Sequence, residues 1–298
     1  MKWKMADVEL QTGRVAIVTG ANIGLGYETA LGLAGKDVEV LLACRNNQKA
    51  ESAKAKICAV YPEAKVRCMQ IDLSSLASVN KFVEQYTERY SRLDLLINNA
   101  GIMMPPYSLT EDGFESQLGA NYLGHFALTG GLLPLLERTT NARVISLASL
   151  AHDWSNIQFD DINFKQKYSA RKAYGQSKLA CLMFAYEFQR RLRKEGCQTI
   201  SIAAHPGVSQ SNLTQHMPKL LQWLSPLVCQ NTAAGAEPSL YAALNEILVG
   251  GEYIGPDGFQ QARGKPKIVR SNRASKNEAD ASNLWRISET LTSTYFLS

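Results

Sequence analysis

Tyr174 and Lys178 are four residues apart, and the apolar stretch that follows them predicts a helix that starts at Tyr174 and runs through Glu187. Residues at this spacing lie on one face of a helix, so the phenol and the ammonium can enter the same pocket. A positive charge beside a phenol favours the phenolate form, which makes a tyrosine usable as a general acid/base. Tyr168 and Lys172 repeat the spacing six residues earlier, so the pattern alone does not choose between the two pairs.

A glycine-rich loop over residues 19–26 follows the first predicted strand, residues 14–18, and leads into a helical stretch. Gly20 permits a tight turn, Gly24 lets the backbone approach a pyrophosphate, and Gly26 allows close packing of the helix. The helix then offers its unpaired N–H groups to the phosphates. The loop predicts a dinucleotide site, with a purely structural loop as the alternative.

Short apolar runs alternate with helical stretches along most of the chain. This alternation predicts parallel βαβ units and an α/β fold, with a doubly wound parallel sheet covered by helices on both faces. No linker or change of composition divides the elements, so we expect a single domain over residues 1–298. The predicted strands are 14–18, 38–43, 66–71, 93–97, 143–147 and 199–203, and the predicted helices include 46–60, 75–90 with Ser74 as its N-cap, and one long helix over 114–137.

The composition is typical of a globular protein: 45% of the 298 residues are apolar, 20% are charged, and the net charge is +5. The basic residues are spread along the chain, which favours a solvated basic surface over binding to nucleic acid or a membrane. The six cysteines show no metal-binding spacing and are typical of a reducing compartment. With no secretory signal and no apolar run long enough to span a bilayer, we expect a cytoplasmic protein without a metal site.

Four motifs resemble, in order, those of the short-chain dehydrogenase/reductase family: residues 19–26, 98–101, 174–178 and 206–207. The likeness extends over most of the chain. It implies an NAD(P)-dependent oxidoreductase that interconverts a carbonyl and an alcohol, on a Rossmann fold with strand order 3-2-1-4-5-6-7. The alternatives are a cofactor-binding regulator that has lost its chemistry, or a double-bond reductase of the protochlorophyllide type.

The resemblance also implies catalytic roles for Asn121, Ser149, Tyr174 and Lys178. Ser149 would hydrogen-bond the substrate oxygen, Tyr174 would transfer the proton, and Lys178 would hold the nicotinamide ribose. Asn121 would hold a water that connects Lys178 to solvent, with a buried structural amide as the alternative. Ser146, inside the fifth predicted strand, is expected to be structural.

Sequence context separates the two tyrosines. The interval between Ser149 and Tyr174 is longer than in common family members, and its residues resemble an insertion in retinol dehydrogenase-like members. Those members place Ala before the reactive Tyr and x-x-Ser-Lys-Leu-Ala after it, which fits residues 173–180. Tyr168 lacks this context, so Tyr174 is the predicted acid/base.

The resemblance places coenzyme contacts in the glycine loop and at the ends of the predicted strands. The implied residues are Gly20, Asn22, Ile23, Gly24, Leu25, Gly26, Asp72, Leu73, Asn99, Ala100, Gly101, Tyr174, Lys178, Pro206, Gly207, Val208 and Ser211. An acidic residue at the end of the second strand would bind the ribose of NAD(H) and repel the 2′-phosphate of NADP(H). This chain has Arg45 there, which can pair with a phosphate, so NADP(H) is predicted. If Arg45 only lies over the adenine, NAD(H) stays usable.

An apolar stretch within residues 209–231 resembles the substrate lid of the family and predicts a lipophilic substrate. Ordinary packing of an amphipathic helix on the body of the protein is the alternative. The predicted pocket residues, on this lid and opposite it, are Leu213, Met217, Met103, His152 and Trp154. Residues 252–298 resemble the C-terminal extension of the retinol dehydrogenase-like branch, and a homo-oligomer formed through the long helices would be common for the family.

Overall fold

The computed structural model describes residues 3–208 and 230–297. These residues form an eight-stranded sheet in the order β3-β2-β1-β4-β5-β6-β7-β8. The strands are β1 Val15–Thr19, β2 Glu39–Cys44, β3 Val66–Gln70, β4 Leu95–Asn98, β5 Arg143–Leu147, β6 Ile200–Ala204, β7 Tyr253–Pro256 and β8 Pro266–Ile268. The helices are α1 Gly24–Ala34, α2 Asn47–Val60, α3 Leu76–Arg89, α4 Ser116–Leu118, α5 Gly124–Arg138, α6 Ala170–Lys194, α7 Thr232–Leu244 and α8 Glu278–Thr292.

The first seven strands confirm the predicted Rossmann order and are parallel. The eighth strand was not predicted. It runs antiparallel to β7, pairing Ile254 with Ile268 and Pro256 with Pro266. A strand of three residues with a lysine at its centre carries no periodicity that sequence inspection could detect.

Both faces of the sheet are buried under helices. Along β1, Val15 and Ile17 join the core beneath α3, α5, α6 and α8, whereas Ala16 and Val18 join the core beneath α1, α2 and α7. Alternate residues of a strand point to opposite faces, so a strand buried on both faces is apolar at every position. This explains why the continuous apolar runs predicted the strands correctly.

The predicted long helix over 114–137 is interrupted in its second turn. Residues 116–118 form α4, Gly119–Leu123 form a π-helical turn, and α5 continues to Arg138. In a π turn the backbone hydrogen bonds span five residues, and such turns are frequent at functional sites. The apolar pattern runs through this segment unbroken, which hid the change of helix type.

Two helix starts differ from the predicted ones. Ser75, not Ser74, caps α3, because its Oγ accepts a hydrogen bond from the backbone of Ser78. The helix that carries Tyr174 begins at Ala170, and Ser169 is its cap. Tyr174 therefore lies in the second turn of α6 rather than at the start of the helix.

The C-terminal helix α8 lies across α5 and α6. Trp285 of α8 stacks on Phe184 at 5.7 Å between ring centres and contacts Phe126 edge-on at 5.1 Å. This confirms the predicted helical character near residues 283–288.

Across the described ranges, no helix is both long and apolar enough to cross a membrane.

Candidate active site

A cavity of about 550 Å³ lies at the carboxyl ends of the parallel strands. This edge of a doubly wound sheet is where such folds bind ligands. The predicted pocket residue Met103 lines this cavity, whereas the predicted Asn121, Gly207 and Val208 do not. The predicted coenzyme and catalytic residues that line it are Gly20, Asn22, Ile23, Gly24, Leu25, Gly26, Arg45, Asp72, Leu73, Asn99, Ala100, Gly101, Ser149, Tyr174, Lys178 and Pro206.

The glycine loop connects β1 to α1 along one wall of this cavity. Gly20 and Gly24 have positive φ values of 65° and 61°, a conformation that residues with a Cβ rarely adopt. A Cβ on Gly26 would lie 2.5 Å from the carbonyl oxygen of Gly20, so only glycine lets α1 pack against the turn. A Cβ on Gly24 would meet no atom within 4 Å, so this Cα borders open space at the start of the helix.

Thr19, which was not predicted as a site residue, connects this loop to the one after β4. Its Oγ1 accepts hydrogen bonds from the backbone N–H groups of Asn99 and Ala100, both at 2.9 Å. The side chain of Asn99 donates in return to the Thr19 carbonyl at 2.7 Å. The two loops that border the cavity are therefore fixed relative to each other.

Tyr174 and Lys178 are both buried at the cavity, with 4% and 6% of their surfaces exposed. Lys178 Nζ lies 5.9 Å from the centre of the Tyr174 ring and donates to the Leu147 carbonyl at 3.0 Å. An ammonium has three donors, so two remain for groups in the cavity. Among the described residues, the Tyr174 hydroxyl makes no hydrogen bond and faces the same cavity.

Ser149 follows β5 and caps a single 3₁₀ turn, Leu150–Asp153. Its Oγ accepts from the backbone of Ala151 at 3.2 Å, which leaves the hydroxyl hydrogen free to donate into the cavity that Ser149 lines. Ser146 is buried within β5, and its hydroxyl has no partner among the described residues. Of the two serines, only Ser149 lines the cavity.

Asn121 lies in the π turn and connects it to two other elements. Its Nδ2 donates to Ser177 Oγ at 2.9 Å and to the Ile102 carbonyl at 3.0 Å, and its Oδ1 accepts from the Ile102 N–H at 2.8 Å. A Cβ built on Gly101 would be 3.1 Å from Asn121 Oδ1 and 3.5 Å from Lys178 Nζ. The amide oxygen and the ammonium therefore border the same small space.

At the end of the cavity beside β2, Arg45 follows that strand and is exposed where it lines the cavity. Its guanidinium makes no ion pair with any residue that the structure describes. Asp72 accepts hydrogen bonds from the backbone and hydroxyl of Ser74, at 2.9 and 2.6 Å. Burial raises the pKa of the neighbouring Cys44 thiol to about 11, so this cysteine stays protonated.

The turn after β6 is held by His205 and by the C-terminal extension. Gly207, at a positive φ of 66°, donates its N–H to His205 Nδ1 at 3.2 Å, and Val208 donates to the Ala262 carbonyl at 2.7 Å. His205 Nε2 therefore carries the proton and donates to Gln261 at 2.9 Å. Burial lowers the pKa of His205 to about 4, which keeps it neutral. The sequence offered no signal for this contact with the extension.

Of the predicted pocket residues, Met103 lines the cavity, whereas Trp154 does not line it and has its ring centre 6.0 Å from that of Tyr174. His152 is not a lining residue. Its Nδ1 donates to the Ser149 carbonyl at 2.6 Å, and its buried ring packs against Tyr253. Ser211, Leu213, Met217 and most of the predicted lid lie outside the described residues.

The second tyrosine of the repeated spacing, Tyr168, lies away from the cavity lining. Its hydroxyl donates to the Pro105 carbonyl at 2.8 Å and accepts from Gln117 at 3.1 Å. Burial raises its pKa to about 12. Tyr168 therefore holds the segment that contains Pro105.

Within the described ranges, no group of three or more His, Cys, Asp or Glu could hold a metal ion.

Comparisons with known proteins bear on the family and the fold. The family model described as short chain dehydrogenase matches residues 14–220. Mouse retinol dehydrogenase 12 is 41% identical over 281 residues, which cover 93% of this chain and 85% of that protein. An uncharacterised protein from Mycobacterium paratuberculosis is 39% identical in its crystal structure, with a TM-score of 0.84 and 99% of both chains covered. An NADP active-site complex of RhlG from Pseudomonas aeruginosa is 25% identical, with a TM-score of 0.65, and covers 82% of this chain and 94% of that one.

Proposed function

The chain belongs to the short-chain dehydrogenase/reductase family, in its retinol dehydrogenase-like branch, and we propose that it is an NADP(H)-dependent oxidoreductase that interconverts a carbonyl and an alcohol. Oxidoreduction follows from the family. The observation that carries the finer proposal is the shared cavity of Tyr174, Lys178 and Ser149, which continues along the glycine loop to Arg45.

The residues present fit a dinucleotide. Gly24 borders open space at the N-terminus of α1, where backbone N–H groups and the helix dipole favour a pyrophosphate. At the adenosine end, the exposed guanidinium of Arg45 can pair with a 2′-phosphate, and Cys44 and Asn46 beside it supply no repelling carboxylate. Arg45 supports NADP(H) over NAD(H), and Gly20, Asp72, Asn99 and Gly207 are among the residues that would hold either coenzyme.

When bound, the coenzyme would supply or accept a hydride through its nicotinamide. Ser149 donates its free hydroxyl hydrogen to the substrate oxygen, and Tyr174 exchanges the proton with that oxygen. Lys178 places a positive charge next to the phenol, so negative charge on either oxygen is stabilised as it develops. The remaining Lys178 donors would hold the ribose, and the space shared by Lys178 Nζ and Asn121 Oδ1 would hold the relay water.

The substrate side supports a lipophilic molecule. Met103, Ile102 and Pro105 line the cavity, and the partly exposed Trp154 flanks Tyr174. Apolar and aromatic walls with a few polar groups are typical of small-molecule sites.

Single-domain organisation, a cytoplasmic location and a homo-oligomer stay predictions. Part of the surface of α5 and α6 contacts α8 of the same chain, through the rings of Phe126, Phe184 and Trp285.

The direct experiment is a spectrophotometric screen. The purified protein is mixed with NADPH or NADH and a panel of aliphatic, aromatic and polyene aldehydes and ketones. We expect NADPH oxidation with lipophilic members of the panel. No turnover with any carbonyl, and no coenzyme reduction with the matching alcohols, would contradict the proposal.

A further inference from the structure

His125 is a buried histidine that has no role in the mechanism above. It follows the π turn in the first turn of α5 and is 4% exposed. Its Nδ1 lies 2.9 Å from the carbonyl oxygen of Asn121, and its Nε2 lies 2.9 Å from Thr19 Oγ1. Thr19 is 106 residues away in sequence, so the imidazole connects two distant parts of the candidate site.

The partners of His125 determine which nitrogen carries its proton. A carbonyl oxygen can only accept, so Nδ1 must donate to Asn121. Nε2 then has a lone pair and accepts the hydroxyl hydrogen of Thr19. Burial is the main cause that lowers the pKa of His125 to about 4, and the Lys178 charge adds to it, so the neutral ring persists at neutral pH.

The hydrogen bonds of His125 form a bridge, and at its Thr19 end this bridge reaches the glycine loop over residues 19–26, called the coenzyme loop from here on. The lone pairs of Thr19 Oγ1 accept the N–H groups of Asn99 and Ala100, and its hydrogen is directed to His125. Every hydrogen-bonding capacity of this hydroxyl is therefore used. Without the imidazole acceptor, the hydroxyl hydrogen would have to turn to the Ile97 carbonyl, which lies farther away at 3.3 Å.

At the other end, the bridge reaches the catalytic side of the cavity. Cys181 of α6 also donates to the Asn121 carbonyl, at 3.2 Å. The Asn121 side chain binds Ile102 and Ser177, and Ser177 donates to the Tyr174 carbonyl at 2.8 Å. Hydrogen bonds thus run from the coenzyme loop through Thr19, His125 and Asn121 to the helix that carries Tyr174.

We propose that His125 is a positioning residue whose neutral Nδ1–H imidazole holds the coenzyme loop and Asn121 in one fixed relation. The inference rests on the proposed function, because it takes Asn121 and this loop to serve turnover. His125 touches neither substrate nor coenzyme and acts through Thr19 and Asn121.

Two variants of His125 each remove one of its two hydrogen bonds and keep the other. In His125→Asn the side-chain amide nitrogen lies near the former position of Nδ1 and still donates to the Asn121 carbonyl. The acceptor for the Thr19 hydroxyl is lost. In His125→Gln the side-chain amide oxygen lies near the former position of Nε2 and still accepts from the Thr19 hydroxyl. The donor to the Asn121 carbonyl is lost. Losing one buried hydrogen bond corresponds to about tenfold in an equilibrium or rate constant.

We expect His125→Asn to raise the Kd for NADPH about tenfold with a smaller effect on kcat. We expect His125→Gln to lower kcat about tenfold while the Kd stays within about threefold of the wild type. The Kd is measured by NADPH fluorescence without substrate, and the melting temperature is recorded for each variant. The proposal would be overturned if both variants lost NADPH affinity and kcat to the same extent, in proportion to the fall in their melting temperatures. Wild-type values of Kd and kcat in both variants would also overturn it.

A second measurement needs no variant. The ¹⁵N spectrum of histidine-labelled wild-type protein, assigned at His125, should show a neutral ring protonated at Nδ1, the tautomer that is less common in solution. A ring protonated at Nε2 would overturn the proposal even if neither variant folds. If the wild type reduces no carbonyl, the proposed function fails, while the NADPH Kd values and the tautomer still decide the role of His125.

Discussion

The ammonium of Lys178 lies 5.9 Å from the centre of the Tyr174 ring, and both side chains reach the same cavity from one face of α6. The hydrogen bond from Lys178 to the Leu147 carbonyl fixes the ammonium against the end of β5, next to the strand end that Ser149 follows. The charge and the phenol are therefore held in place by secondary structure rather than by loops.

Arg45→Ala should lower the preference for NADPH over NADH. Removing a charge-assisted bond to the 2′-phosphate should reduce the ratio of the two kcat/KM values by roughly 10- to 100-fold, mainly through KM for NADPH. Lys49→Ala is the matched control, because Lys49 is exposed in the first turn of α2 and does not line the cavity. An unchanged ratio in Arg45→Ala would remove the structural basis for NADP(H).

Ser149→Ala should lower kcat by roughly 10²- to 10³-fold, because it removes a donor aimed at the substrate oxygen. The NADPH Kd should stay close to the wild-type value. Ser146→Ala, in the same segment but away from the cavity, should change kcat by less than about twofold, since its hydroxyl has no partner to lose among the described residues. Comparable losses in the two variants would contradict the assignment of Ser149.

The protein should lose stability as the pH falls from 6.5 towards 4. Burial lowers the pKa of both His125 and His205 to about 4, whereas the unfolded chain binds protons near pH 6.5. The free energy of unfolding keeps its full value above pH 6.5. It falls as the pH drops to the pKa values of the two histidines in the folded state, by roughly 3 kcal/mol for each histidine. Urea unfolding at pH 7, 6 and 5 measures this slope. His125→Phe should make the slope shallower, and a wild-type stability that stays flat or rises on acidification would refute the prediction.

Trp285→Ala should destabilise the fold by about 3–5 kcal/mol, the range for truncating a buried aromatic residue. Trp285 is 1% exposed between the rings of Phe184 and Phe126, so its removal leaves a cavity between α8 and the two long helices. Tyr295→Ala is the control from the same end of the chain. Its ring is 71% exposed, so the free energy of unfolding should change by less than about 0.5 kcal/mol.

Local patterns predicted the first six strands because a strand buried on both faces, such as β1 from Val15 to Val18, must be largely apolar. The same local view assigned no residues to β7, which only the family strand order implied, and it missed β8, which is too short for a pattern. It also missed the π turn at Asn121, where the apolar pattern continues unchanged. The start of α6 was misplaced although Ser169 is a local cap signal, because its Oγ accepts a hydrogen bond from the backbone N–H of Lys172.

Within the site, the sequence motifs predicted which residues share the cavity, but not the contacts that hold them. Thr19 and His125 meet across 106 residues, and His205 meets Gln261 across 56. Such contacts depend on how the sheet folds and leave no local signal. His152 shows the reverse case, because the 3₁₀ turn after Ser149 directs its ring away from the cavity, towards Tyr253.

The proton-transfer role of Tyr174 is tested most directly by comparing Tyr174→Phe with Tyr168→Phe in single-turnover reduction by NADPH. Tyr174→Phe should lower the rate by roughly 10²- to 10⁴-fold, as expected for loss of a general acid, with the NADPH Kd nearly unchanged. Tyr168→Phe, which loses only its bonds to Pro105 and Gln117, should keep most of the rate. Normal turnover by Tyr174→Phe would contradict the account.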